Sequence, residues 1–236
     1  MAPVLTPFAN DKNFSVKLDV IPAYAKYLAS IGIEAVLEAW AAAVKKTEQV
    51  LMVQVGGACL KDVQELAAHA EQIGSDGLLC LPELYFKPTT EEDLVSYLKQ
   101  VGEAAPTTPL LYYHIPSLSG VKVNMPKFMT IAAREIPTFG GIKFTDTNLD
   151  EASQCLLVEN GSLGLFLGCD QVLAGAFTLG IDSAIATTLN MIPSPSIKMK
   201  NAIKNNRPDE ALEQQKILNK AIAAMTLNGK YAAVRQ

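Results

Sequence analysis

Histidine is scarce in this 236-residue chain, which carries only His69 and His114, far apart in sequence. A histidine-based metal centre or a Ser-His-Asp triad therefore has little to work with. The four cysteines, Cys59, Cys80, Cys155 and Cys169, form no CxxC pair and lie in apolar surroundings. They are expected as small buried core residues rather than as disulfides or metal ligands, which suits a reducing, cytoplasmic compartment. Positive charge is not in excess either. The net charge of −4 argues against a general nucleic-acid or membrane-surface binder and leaves any anionic ligand to a local site. No apolar run is long enough to span a bilayer, no secretory signal is expected, and neither a GxGxxG turn nor a Walker A loop is present.

What the chain does have is core-forming material, 49% hydrophobic residues, arranged as apolar runs at intervals with helical stretches between them. The runs 2–8, 33–37, 51–56, 77–82, 110–116, 140–145, 163–168 and 183–188 read as eight strands. Between them lie amphipathic segments such as 60–74, with Leu60, Val63, Leu66, Ala67, Ala70 and Ile73 on one face, and 90–105, which opens with a Thr90 cap and an acidic first turn. Eight strands alternating with helices predict a single-domain α/β (β/α)8 barrel, close to the ~250 residues usual for that fold. A doubly wound open sheet is the competitor, but it usually carries the glycine-rich turn that is missing here. Two further helices, 194–206 and 208–228, are split by Asn205-Asn206-Arg207-Pro208 and begin a C-terminal helical extension.

In such a barrel the chemistry sits at the C-terminal ends of the strands. Side chains alternate along a strand, so Leu111, Tyr113 and Ile115 share one face of their strand, and Gly141, Lys143 and Thr145 share one face of the next. Assigned to the interior, at a strand separation of roughly 5 Å, these sets bring Tyr113 and Lys143 to one cavity. Burial favours a neutral amine, which is a nucleophile toward carbonyls and can form a Schiff base. The alternatives are a Lys143 that reaches solvent or pairs with Asp146, and a Tyr113 that is an ordinary core tyrosine. Further along, Gly168, Asp170 and Gln171 follow one strand, and Thr187 and Asn190 follow or end the next. Asp170 is equally readable as the N-cap of the helix after it.

The segments YFKP (85–88), YYHIPSLSGVKV (112–123), IPTFGGIKFTDT (136–147) and GCDQVL (168–173), with the helix connection at 205–211, resemble the pyruvate-dependent class I aldolases of the dihydrodipicolinate synthase and N-acetylneuraminate lyase family. The resemblance covers nearly the whole chain. It implies a homotetrameric barrel without metal or organic cofactor, in which Lys143 forms the Schiff base and Tyr113 takes the proton from the C4 hydroxyl of a sialic acid. Thr145, Gly168, Asp170, Gln171 and Thr187 fall where the family's lyases contact the sugar. Ser117-Leu118-Ser119-Gly120 stands where dihydrodipicolinate synthases place an arginine, which favours the sialic acid branch; Gln171 replaces a glutamate usual in that branch.

One junction departs from the family. Ile33 to Leu37 reads as a strand and Glu38 to Lys46 as an alanine-rich helix, with no turn former or cap between them. The family places a Gly-Thr-Thr-Gly-Glu-like turn and half a helix here, about a dozen and a half residues that grip the pyruvate carboxylate. The expected barrel is thus truncated at its second βα loop and in its closing helices. Two origins fit: segments of a longer protein absent from this sequence, or a genuinely shortened form such as a splice product, for which the resemblance implies loss of lyase activity.

Overall fold

The structure, a computed structural model, describes residues 37–46 and 48–226. The expected strand 2–8 and all but the last residue of the expected strand 33–37 lie outside these residues. Leu37 is a correction: it lies in helix α1, described over residues 37–46, instead of closing a strand. Ala41 and Val44 are buried, so with Leu37 they form a stripe at i, i+4 and i+7. The helix-favouring alanines therefore carry the helical period across the junction.

Six parallel strands follow among the described residues: β1 (Met52–Gln54), β2 (Gly77–Cys80), β3 (Leu110–His114), β4 (Phe139–Phe144), β5 (Gly164–Leu167) and β6 (Ser183–Ala184). They pair in chain order, each with its sequence neighbour. Helices cross over between them: α2 (Leu60–Gln72), α3 (Glu91–Glu103), the short α4 (Pro116–Ser119) with α5 (Met125–Glu135), α6 (Leu149–Cys155) and α7 (Leu173–Thr178). Helices α8 (Pro193–Lys204) and α9 (Pro208–Met225) then pack on each other. Sequential all-parallel order with a helix after each strand is the wall of a (β/α)8 barrel. The strands are shorter than their apolar runs. Pro116 has no N–H for the ladder and opens α4 instead, and Thr187 belongs to a 3-10 turn, Thr187–Asn190.

Local chemistry sets the helix starts. The Thr90 hydroxyl accepts from the Asp93 N–H at 3.1 Å while the Asp93 carboxylate accepts from Thr90 N–H at 3.2 Å, the expected capping box of α3. Asn124 caps α5 by accepting from the Lys127 N–H at 2.9 Å. On the outer wall, Tyr112, Ile142, Phe144, Leu165 and Leu167 are buried against the helices. The Phe128 ring of α5 stands 5.1 Å from Tyr112 and 5.6 Å from Phe139, and burying one such ring contributes about 2–3 kcal/mol.

Phe139 reaches that layer through a bulge. The register runs Leu110 to Phe139 but Leu111 to Gly141, so Gly140 is an extra residue in β4. Without it, Phe139 and Lys143 would share a face. Cys80 and Cys155 are buried as expected, Cys169 is half-buried, and Cys59 corrects the expectation by being exposed at the N-cap position of α2. All four are free thiols.

Candidate active site

The registers Tyr113 to Lys143 to Phe166 cross the wall in one row near the C-terminal ends of β3, β4 and β5. Both polar members are half-buried. The Lys143 Nζ lies 3.8 Å from the centroid of the Tyr113 ring, a cation–π distance. The amine thus meets the face of the phenol. The Asp146 carboxylate, the alternative partner, accepts from the Asn148 N–H at 3.0 Å. Beside Tyr113 opens a cavity of about 310 Å³ lined by Leu81, Leu84, Ile115, Leu118 and Ser119 as well. Its wall is mostly apolar, the usual lining of a small-molecule site.

Thr145 and Gly168 meet two residues beyond this row, on the same face. The Thr145 N–H donates to the His114 carbonyl at 2.8 Å, and the Gly168 N–H donates to the Phe144 carbonyl at 2.7 Å. A Cβ on Gly168 would overlap the Thr145 hydroxyl, so only glycine lets the two strand ends close up. The Thr145 Oγ1 is buried and has no hydrogen-bond partner among the described residues. A hydroxyl in that condition is available to a ligand polar group.

Asp170 is 4% exposed. Its carboxylate accepts from the Thr188 N–H at 3.3 Å and from the Thr188 hydroxyl. It is not the N-cap of the following helix: α7 is capped at Val172, and Asp170 opens a 3-10 turn, Asp170–Val172. Gln171 is exposed, and Thr187 is half-buried with its carbonyl accepting from the Asn190 amide at 3.4 Å. The row Tyr113–Lys143, the pair Thr145–Gly168 and the pair Asp170–Thr188 are therefore built. No polar contact ties the Gln171 side chain to them.

Three neighbours escaped the sequence reading. Thr188 is visible only as the second member of a Thr-Thr pair. Burial pushes the Cys169 thiol up to about 11, with the Asp146 and Asp170 carboxylates adding to the rise and Lys143 opposing it, so the thiol stays protonated at neutral pH. His114, 3% exposed, packs 5.0 Å from Phe144 with its Nδ1 unpartnered among the described residues.

Burial pushes His114 down to about 4, against a weaker opposing pull from Asp146. The unfolded chain binds this proton near pH 6.5 and the folded chain only near 4, so stability is full above pH 6.5 and falls as the pH drops toward 4. The loss from this one group is about 3 kcal/mol. Urea midpoints between pH 7 and 4 should therefore fall more steeply for the wild type than for His114→Phe. Parallel curves would contradict this assignment.

Among the described residues no three of His, Cys, Asp and Glu gather as a metal site, and no helix is long and apolar enough to cross a membrane. Comparison with known proteins agrees with the architecture. The chain is 35% identical over 181 residues to the N-acetylneuraminate lyase of Sus scrofa and 36% identical over 181 residues to that of Homo sapiens, in each case over 76% of this chain and 57% of the relative. It thus spans little more than half the length of these curated relatives. The structure of the N-acetylneuraminate lyase of Aliivibrio salmonicida superposes with a TM-score of 0.82 at 27% identity, covering 98% of this chain and 82% of that one. The model of the dihydrodipicolinate synthetase family matches residues 25–236. With the sequential parallel wall, that match establishes that this chain has the (β/α)8-barrel fold and belongs to the dihydrodipicolinate synthetase family.

Proposed function

We propose that this chain carries the Schiff-base lysine and the proton-accepting tyrosine of a class I aldolase that cleaves N-acetylneuraminate, or a close 2-keto-3-deoxy sugar acid, to N-acetylmannosamine and pyruvate. The observation that carries this reading is the Lys143 amine, 3.8 Å from the Tyr113 ring centroid at the C-terminal end of a parallel wall. Lys143 attacks the ketone carbon of the open-chain sugar acid and water leaves, giving an iminium. Tyr113 takes the C4 hydroxyl proton, the C3–C4 bond breaks, and its electrons pass into the iminium to form an enamine. Protonation at C3 and hydrolysis release pyruvate and restore the amine. The iminium is itself the electron sink, so the sequence of steps calls for no metal or organic cofactor. Thr145, Gly168, Asp170, Gln171 and Thr187 take the sugar's hydroxyl chain, the Thr145 hydroxyl being the buried group left for it. A homotetramer, implied by the family resemblance, belongs to the same reading and is measured by light scattering.

The substrate class rests on the names of the relatives and on the turn after β3. Ser119 donates to the Ile115 carbonyl at 3.0 Å, and Leu118 is exposed. Neither side chain supplies the cation that a second carboxylate would need. The expected result is pyruvate release from N-acetylneuraminate and no condensation of pyruvate with aspartate semialdehyde. The reverse preference would overturn the substrate assignment.

The α1 junction favours a second reading. Helix α1 includes Leu37, and the sequence contains no Gly-Thr-Thr-Gly-Glu segment to hold the pyruvate carboxylate. In that reading the chain is a catalytically impaired form that binds the sugar acid or assembles with longer copies. Protein of verified mass that binds N-acetylneuraminate without releasing pyruvate would single it out, and robust turnover would remove it.

A further inference from the structure

Helix α9 buries Ala211, Gln215, Leu218 and Ile222 along one stripe, and Gln215 is its one polar member. A leucine would fill that place with less desolvation, so the amide needs a reason to be there. Its hydrogen bonds supply one. The Gln215 Oε1 accepts from the Ala174 N–H at 2.8 Å, and Nε2 donates to the Asp170 carbonyl at 3.0 Å and to the Asn219 Oδ1 at 2.9 Å. The Asn219 amide, one helical turn on, donates to the Gln171 carbonyl at 3.4 Å. Each partner requires the polarity it meets, since an N–H needs an acceptor and a carbonyl needs a donor. An aspartate or an aliphatic residue in this place would leave buried backbone groups of the turn without partners.

The turn so held is the one that carries the candidate sugar contacts. It leaves β5 at Gly168 and passes through Asp170 and Gln171 into α7. On its other side the Asp170 carboxylate grips Thr188, next to Thr187. We infer that Gln215, with Asn219, is a positioning residue: the C-terminal helix clamps the turn 169–174 and through it sets where Gly168, Gln171 and Thr187 stand for the sugar acid. This deepens the proposed function and rests on it for the identity of the ligand. The clamp acts on the sugar end of the site, while Lys143 and Tyr113 are held by the β3–β4 ladder and do not depend on it.

The test compares Gln215→Leu with Leu218→Ala, a neighbour in the same stripe that makes no polar contact with the turn. In Gln215→Leu the KM for N-acetylneuraminate should rise about tenfold, the consequence of losing a buried hydrogen-bonded clamp. Borohydride trapping of pyruvate on Lys143 should be unchanged. Hydrogen exchange should speed up in peptides covering 168–175 and stay as it was in 139–145. Leu218→Ala should lower the melting temperature without moving KM or the local exchange pattern. If Gln215→Leu leaves exchange at 168–175 unaltered, or if Leu218→Ala reproduces its whole phenotype, the clamp is overturned. Should the wild type neither trap pyruvate nor turn over sugar acid, the functional reading falls, and the exchange comparison alone still decides for or against the clamp.

Discussion

Lys143→Arg is expected to lower the rate of pyruvate release from N-acetylneuraminate by a factor of about 10³ or more, with the fold intact. The guanidinium can still rest on the Tyr113 ring, so the contact seen at 3.8 Å is replaced in kind. It stays protonated and offers no lone pair, so no Schiff base forms and the C3–C4 electrons have nowhere to go. Lys143 is half-buried and its amine rests on that ring, a contact the guanidinium can keep, so the stability change should stay within about 1 kcal/mol. A coupled assay for pyruvate, run beside a thermal melt, separates lost chemistry from lost structure. An active, folded Lys143→Arg protein would mean that the cation, and not the nucleophile, does the work.

The largest effect on stability is expected at Gly141. Its φ of +136° lies in a region that L-residues rarely adopt, and a Cβ there would overlap the Gly164 carbonyl across the β4–β5 ladder. Strain and overlap together should cost Gly141→Ala about 4 kcal/mol or more. Against a total of about 5–15 kcal/mol for a folded domain, that leaves a protein close to unfolding. Gly140→Ala is the internal control. A Cβ there would meet the Pro109 Cβ at 3.4 Å, the Leu111 Cδ1 at 3.7 Å and the Leu110 carbonyl oxygen at 3.8 Å, ordinary contacts that small shifts absorb. Urea unfolding of the two variants should thus give a large drop in midpoint for one and a small drop for the other. Equal midpoints would contradict the bulge as the device that turns Phe139 outward and Lys143 inward.

That bulge marks the limit of what can be read from residue order. The apolar runs 110–116, 140–145 and 163–168 were legible as strands because strands buried on both faces read as continuous apolar stretches. Alternation then correctly paired Tyr113 with Lys143. The same alternation extended back one step would have put Phe139 on the wrong face, and only the Gly-Gly pair hints at the inserted residue. At Leu37 a short apolar run fits strand or helix equally well, and the burial of Ala41 and Val44 decides for helix. Asp170 shows a different blindness. Its local context suggests a cap or a ligand and gives no sign that its carboxylate reaches Thr188 eighteen residues away. Long-range polar pairing of that kind, like the Gln215 clamp forty-five residues from Asp170, leaves no periodic trace in the chain. Cys59 was misread for a related reason. Its apolar neighbours suggested burial, but it stands at a helix start facing solvent.

The central claim is that one amine, at Lys143, becomes covalently bound to a keto acid inside this wall. Incubation with pyruvate and borohydride, followed by peptide mapping, addresses it without reference to any sugar. The account predicts a mass increase confined to the peptide containing Lys143 and absent from the Lys143→Arg protein. An unmodified Lys143 in protein that turns over sugar acid, or an adduct on another lysine, would contradict it.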